Sequence, residues 1–393
     1  MTESRDVLIL GGGFAGAYVA RLLPTREPTI VSRENFMLYT PLLPEAASGT
    51  LEPRHTVVPL RVMCPRAELV LGTVEGIDLE ARTASVDGRL FGWQDLVLAV
   101  GAVPRAVPHD ALSFKSLADA IALRNHVLGR LEAADGNRED AARELTFVFV
   151  GAGYAGVEAL AELSDLVDDA LRYYPHLQAV PRRWVLVDAA PKILPEIPPP
   201  LGEYAARELA EHGIEIHVGT TLASSSHDGV VLGDGTRIPA RTLVWTAGVT
   251  PNPLVHELGL PLDERGRLEV DEHLRVRGCE HVWALGDCAR VPNTKAEQPD
   301  PPTCQHALRQ ARRLAKNLEG DLRPYGYRML GQVATLGRYK GIADVLGIRI
   351  RGFPGWFVTR TYHLYQLPLT SRRLRVVADW TSSLLFRRDV VKL

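Results

Sequence analysis

Two short apolar runs, Val7 to Leu10 and Phe147 to Val150, are each followed by a glycine-rich turn and then by apolar residues recurring every three or four positions. The runs are too short for helices and carry β-branched or aromatic side chains, which predicts buried parallel strands; the spacing after the glycines predicts helices. The unit is strand, glycine turn, helix, and it is written twice. GGGFAGAYVARLL from Gly11 aligns with GAGYAGVEALAEL from Gly151, and LVLAVGAVP from Leu96 aligns with LVWTAGVTP from Leu243, the second pair carrying Gly101 and Gly248 at one offset. The copies lie 140 and 147 positions apart. That distance suits two whole dinucleotide-binding domains, since a solenoid repeats every ~20–50 residues.

The expected fold class is therefore α/β, with two Rossmann-like dinucleotide-binding domains, the second inserted in the first, plus a C-terminal amphipathic tail. The first domain is expected at 1–110 and 251–324, the inserted one at 111–250 and the tail at 325–393. The polar, proline-rich stretch from Val291 to Pro302 reads as an exposed loop. From Cys304, CQHALRQARRLAKNL has helical periodicity, with Gly320 placed to cap it.

Composition narrows the class. Of 393 residues, 46% are hydrophobic, and 45 Lys and Arg stand against 47 Asp and Glu, a net charge of -2. This is an ordinary globular chain without the electrostatic footprint of a nucleic-acid binder. Four cysteines without a C-x-x-C pair argue against structural metal. The short polar N-terminus lacks the features of a secretory leader, so a cytosolic protein is expected. No apolar run reaches the ~18 residues of a spanning helix, so any membrane contact is one-sided.

A phosphate-binding turn needs glycine where the backbone turns tightly, approaches the pyrophosphate, and packs helix on strand; Gly11, Gly13 and Gly16 meet these needs in order, as do Gly151, Gly153 and Gly156. The following helix N-terminus offers N–H groups and a positive dipole to phosphate. An acid that binds ribose belongs at the end of the next strand. In the first copy that place holds Ser32, with Glu34 nearby; in the second it holds Asp188, followed by Ala189 and Ala190. A carboxylate there favours NADH and repels a 2′-phosphate. A plain strand-end aspartate is the alternative, and a helix extended to Tyr174 accounts for the long spacing from Gly151.

These residues resemble the type II NADH dehydrogenases, a family of single-chain flavoproteins. The likeness covers most of the chain and rests on the two fingerprints, on NFMLYTPLLPEAASGTLEPRHTVVPLR from Asn35, and on VWALGDCA from Val282 with PPTCQHALRQARRLAKNL after it. The resemblance implies FAD on the first fingerprint and NADH on the second. The expected FAD residues are Gly11, Gly13, Phe14, Ala15, Gly16, Ser32, Arg33, Gly101, Gly286 and Asp287. Those for NADH are Gly151, Gly153, Tyr154, Gly156, Asp188 and Gly248. Asp287 ends an apolar strand at the expected start of a helix, where capping is its other use. Glu158 stands opposite Tyr18 in the repeat; the family's equivalent points toward flavin and nicotinamide, whereas an ordinary helix glutamate is solvated.

On the quinone side the expected residues are Gln305, Arg309 and Gln310. The family pattern there is only partly kept, because Arg309 replaces a neutral amide and His306 adds a titratable group; both have an alternative as exposed helix residues. The implied activity is hydride transfer from NADH to FAD and of two electrons to a membrane quinone, without ion pumping. A sulfide:quinone oxidoreductase using Cys288 and Cys304, or a redox sensor with little turnover, are the alternatives.

From Arg338 onward, 11 Lys and Arg face 3 Asp and Glu, a net of +8. Trp356, Phe357, Tyr362, Leu364, Tyr365, Leu367, Val376, Val377, Trp380, Leu384, Leu385 and Phe386 alternate with Arg360, Arg372, Arg373, Arg375, Arg387 and Arg388. This is an interfacial composition suited to an anionic membrane surface on the cytoplasmic side, with the protein peripheral. A helical hairpin that forms a homodimer core or packs on the flavin domain is the other reading.

Overall fold

A computed structural model describes residues 2–23 and 25–392. The chain forms two compact units, Met1–Tyr39 with Val57–Val103 and Val249–Met329, and Thr40–Thr56 with Pro104–Gly248 and Leu330–Leu393.

In the first unit, Glu3–Leu10 runs parallel to Pro28–Ser32 on one side and to Arg89–Leu98 on the other. Glu68–Leu71 and Val282–Ala284 extend the parallel set, and an antiparallel pair, Val74–Asp78 and Thr83–Val86, continues the sheet beyond Arg89–Leu98. Val7, Leu8, Ile9 and Leu10 are all fully buried, as a central strand covered on both faces requires. Helix Phe14–Leu22 packs against helix Cys304–Leu318. The latter ends with Gly320 at φ +93°, the Gly320 N–H on the Asn317 carbonyl and the Asp321 N–H on that of Lys316. This is a Schellman closure, and it uses the glycine singled out in the sequence.

The second unit is built on a five-stranded parallel sheet in the order Leu112–Ser113, Thr242–Trp245, Thr146–Val150, Arg183–Asp188, Ile214–Val218. Helix Tyr154–Ala170 follows the second fingerprint, and a 3₁₀ turn carries the chain on to Tyr173. Two pieces distant in sequence complete this unit. The short helix Leu43–Ala47 is buried against helices Tyr154–Ala170 and Leu117–Gly136. The tail opens with a three-stranded antiparallel sheet, Gly331–Thr335, Gly341–Val345 and Ile348–Arg351, and ends in helices Gly352–Gln366 and Thr370–Leu385.

The unit limits differ from the expected 110, 250 and 324 in joining the tail, residues 330–393, to the second unit and in giving residues 40–56 to it as well. The cause is local: Leu43, Pro44, Glu45, Ala46 and Ala47 are all buried there. The tail also departs from a wholly interfacial reading. Trp356, Leu367, Val376 and Trp380 are core side chains, and Arg360 and Arg388 are buried. They are buried because acidic partners in the same unit meet them.

Candidate functional site

In the first fingerprint Gly11 has φ +114°, and a Cβ there would lie 2.2 Å from the Ala99 carbonyl oxygen; one on Gly16 would lie 2.0 Å from the Gly11 oxygen. Both positions exclude every side chain. Gly13 is exposed, has nothing within 4 Å of its would-be Cβ, and precedes helix Phe14–Leu22 without a side-chain cap. Its position leaves the helix N-terminus open to an anion. Phe14 sets its ring 5.4 Å from that of Tyr39. Ser32 is half-buried and its hydroxyl accepts the Glu34 N–H, while Arg33 and Glu34 are exposed.

Gly286 brings the Gly-Asp element to this cradle. At φ +74° its would-be Cβ stands 3.1 Å from that of Ala15. Asp287 sits in a single 3₁₀ turn, Gly286–Cys288, and no helix begins there, because Ala289 and Arg290 pair directly with Leu268 and Glu269. Gly101, at φ +68°, accepts the Asn252 N–H.

Gln310 is buried. Its carbonyl accepts the Gly286 N–H at 2.9 Å, and its amide donates to Asp300 at 2.9 Å. Asp300 also accepts from the Tyr325 hydroxyl at 2.6 Å and from Asn293 at 2.8 Å. Gln310 therefore holds the Gly286–Asp287 turn in place, a positioning duty the sequence did not suggest. His306, expected to be exposed on the alternative reading, is buried. Thr303 caps the helix and meets the His306 ring, which has a carboxylate oxygen of Asp300 at 3.7 Å. Burial pulls the His306 pKa below its ordinary value, against the opposing pull of Asp300. Gln305 and Arg309 are half-buried, and the Arg309 guanidinium lies 5.0 Å from the Tyr327 ring centre.

The second cradle repeats the first in backbone. Gly151 also has φ +114°, its would-be Cβ lies 2.5 Å from the Thr246 carbonyl carbon, and that of Gly156 lies 1.8 Å from the Gly151 oxygen. Gly153 is open and Tyr154 begins the helix. Thr246, which sequence reasoning missed, donates its hydroxyl to the Val150 and Gly151 carbonyls, and Gly248 follows at φ +82°. One Asp188 oxygen accepts the Ala152 N–H at 2.5 Å and the other accepts the Ala190 N–H at 2.7 Å. The carboxylate is thus fixed against the fingerprint turn and keeps further lone pairs for a diol. Beside it a cleft of about 420 Å³ is lined by Ala189, His217, Gly219, Thr220 and Asp234.

Glu158 is not solvated. One of its oxygens accepts both the Thr335 N–H at 2.9 Å and the Thr335 hydroxyl at 3.2 Å. Burial pushes its pKa up to about 8; the Thr335 hydrogen bonds oppose this, and Glu45 and Glu162 add to it. Nearby, Arg388 donates to Glu162 at 2.9 Å and to the Thr50 hydroxyl at 3.1 Å. Arg360 lies 3.3 Å from Glu45, which also accepts the Trp380 N–H at 2.5 Å. None of these partners was legible beforehand, since each pair joins segments more than a hundred residues apart.

All four cysteines are free. Burial pushes the Cys288 thiol up to about 11 and that of Cys304 to about 12, so neither supplies a ready thiolate.

The model of the pyridine nucleotide-disulphide oxidoreductases matches residues 5–311. A probable NADH dehydrogenase of Dictyostelium discoideum is 30% identical over 99% of this chain and 91% of its own length. The type II NADH:quinone oxidoreductase Ndh of Mycobacterium tuberculosis is 30% identical over 97% of this chain and 88% of its own. The structure of NDH2 from Plasmodium falciparum in complex with NADH covers both chains completely with a TM-score of 0.89 at 18% identity, a likeness of fold. With two full cradles and relatives matched along nearly its whole length, the chain belongs to the pyridine nucleotide-disulphide oxidoreductase family and, within it, to the type II NADH:quinone oxidoreductases.

Proposed function

We propose that this protein oxidises NADH and delivers the electrons, by way of bound FAD, to a quinone at a membrane surface without moving ions. The observation that carries the reading is the duplicated cradle: two fingerprint turns with the same backbone angle, each closed to any side chain at two glycines and open at the third. FAD is assigned to Gly11, Gly13, Phe14, Ala15, Gly16, Ser32, Arg33, Gly101, Gly286 and Asp287, and NADH to Gly151, Gly153, Tyr154, Gly156, Asp188 and Gly248. When bound, FAD supplies the acceptance of hydride and the relay of two electrons.

The chain's own residues bind, orient and hold protons. The helix N-termini after Gly13 and Gly153 neutralise pyrophosphate. Asp188 selects the ribose diol and rejects a 2′-phosphate. Glu158, its pKa pushed up to about 8 by burial, keeps a proton on its carboxyl at neutral pH. Gln310 orients the Gly286–Asp287 turn from behind. Gln305 and Arg309 are assigned to the quinone side.

No helix among the described residues is long and apolar enough to cross a membrane. Surface docking is supported by exposed Phe353, Phe357, Tyr365, Leu374, Leu385 and Phe386 in company with exposed Arg349, Arg351, Arg375 and Arg387. Anaerobic titration of the yellow protein with NADH tests the redox reading. Stoichiometric bleaching and recovery on adding a soluble quinone are expected; bleaching by sulfide but not by NADH overturns it.

A further inference from the structure

On helix Tyr154–Ala170, Glu158, Glu162 and Asp165 follow one another at intervals of four and three residues, which places the three carboxyls along one face. Glu158 and Glu162 are buried, and buried acids stacked in this way are unfavourable unless a cation reaches them. One does so from the tail. Arg388 is itself more than nine-tenths buried, and each nitrogen of its guanidinium is engaged. Nη2 donates to the Glu162 carboxylate at 2.9 Å, Nη1 to the Glu162 carbonyl at 3.2 Å and Nε to the Thr50 hydroxyl at 3.1 Å. Nη2 also lies 3.7 Å from the Asp165 carboxylate.

The Glu162 oxygen that Arg388 meets also accepts the Ser48 hydroxyl at 2.8 Å. Both contacts favour the charged carboxylate. Glu162 is thus a negative charge held one helical turn from Glu158, with the Arg388 charge fixed against it. The other cations of this unit near the acidic face have their own partners. Arg360 lies 3.3 Å from Glu45 and Arg338 lies 3.7 Å from Asp169, while Arg124 of helix Leu117–Gly136 donates to the Asp389 carbonyl. Strand Thr146–Val150 brings no titratable side chain, strand Arg183–Asp188 brings Asp188 bonded to the turn backbone, and Thr335 meets Glu158 with neutral donors. The fields of the pair are felt at the neighbouring acids. Burial and then Glu162 push Asp165 up to about 6, opposed by Arg388 and His212. Burial raises the Glu45 pKa as well, with Arg360 and Arg388 opposing and Glu162 adding.

We propose that Arg388 is a positioning residue that acts on Glu158 through Glu162: it keeps Glu162 ionised, partly cancels its field, and so governs when Glu158 holds its proton. The signs follow from the charges. Removing Glu162 alone leaves the Arg388 cation uncompensated and loosens the Glu158 proton. Removing Arg388 alone leaves an uncompensated anion and tightens it. Removing both returns the field close to its starting value. The link to turnover rests on the proposed reading of Glu158 as the group that holds a proton in the reaction; its ionisation does not depend on that reading.

The test is a pH titration of the full-length, flavin-loaded protein, read by the infrared absorption of protonated carboxyl groups. The Glu158 band is the one that disappears in Glu158→Gln. The pH profile of NADH turnover with a soluble quinone is measured alongside. In Glu162→Gln the apparent midpoint falls by about one pH unit, a tenfold weaker hold on the proton, and in Arg388→Gln it rises by a similar amount. The two substitutions in one chain return it close to the wild-type value. That double variant leaves neither charge without its partner, so it keeps the comparison open where Arg388→Gln alone does not fold. Arg388→Lys gives up the fork but keeps the cation, and it keeps the wild-type midpoint, which a packing role does not predict. A double variant whose midpoint stays where Glu162→Gln put it, or an Arg388→Gln midpoint equal to that of the wild type, overturns the inference. Infrared midpoints that move as stated while the turnover profile stays support it and take Glu158 out of the reaction.

Discussion

The two cradles share a backbone and differ in what stands behind it. Gly11 and Gly151 have the same φ of +114°, and Gly16 and Gly156 each close on the carbonyl of the turn's first glycine. Behind the first cradle a buried hub, Asp300 with Gln310, Tyr325 and Asn293, ties down the Gly286–Asp287 turn. Behind the second, the strand-end acid itself is bonded to the turn, and Glu158, where the first copy has Tyr18, opens a buried run of carboxylates and arginines. Grip on phosphate and control of protons are therefore separable: duplication preserved the glycines, while each copy acquired its own polar backing.

The largest effect expected is from breaking one cradle at a time. Gly11→Ala adds a Cβ against the Ala99 carbonyl at a φ that side chains avoid, a cost on the order of 3 kcal/mol or more, and yields protein with little flavin absorbance per chain. Gly151→Ala meets the Thr246 backbone in the same way and leaves a yellow protein that NADH no longer bleaches. Loss of flavin from both variants alike would show that the cradles are not independent.

Next is Glu158→Gln. Turnover falls by about ten- to a hundredfold if the carboxyl proton is used in the reaction. Its stability signature has a definite sign. The native carboxyl titrates near 8 and the unfolded one near 4.5, so the contribution of the neutral form is complete below about 4.5 and is lost as pH rises through about 8. The variant cannot ionise and should gain on the wild type between about pH 5 and 9, by on the order of a few kcal/mol. Denaturant melts across that range check it; parallel pH curves would remove Glu158 as the titrating group.

A smaller effect, about tenfold in KM for NADH, is expected of Asp188→Ser, which copies the first cradle's Ser32 into the second. Preference for NADH over NADPH should narrow with kcat little changed. The smallest is Asp300→Asn. It replaces an acceptor of three donors by a group that accepts at only one end, costs about 2 kcal/mol, and speeds flavin release with NADH affinity unaltered.

Much of the first cradle could be read in advance because its determinants are local. Gly16 closes on the Gly11 carbonyl within one turn, Gly13 opens the helix next to it, and Gly320 closes the helix it follows. The backing was illegible for the opposite reason. Nothing near Glu158 announces Thr335, and an acidic helix face at Glu158, Glu162 and Asp165 reads as solvated until the tail supplies its arginines. Arg360, Arg388, Trp356 and Trp380 misled in turn, because a basic and aromatic segment has the composition of a lipid-facing surface whether or not half of it is core. The sheet at the start of the tail was missed because its strands are only four or five residues long.

The second unit is assembled from three separated stretches, Thr40–Thr56, Pro104–Gly248 and Leu330–Leu393. Its parallel sheet is complete once Thr242–Trp245 exists, yet Glu158 and Glu162 wait for Thr335 and Arg388. During synthesis the nascent chain must carry these glutamates without their partners while another 90 residues for Thr335, and 143 for Arg388, emerge beyond Trp245. Excising residues 104–248 as a portable nucleotide-binding cassette would freeze the molecule at that unfinished stage.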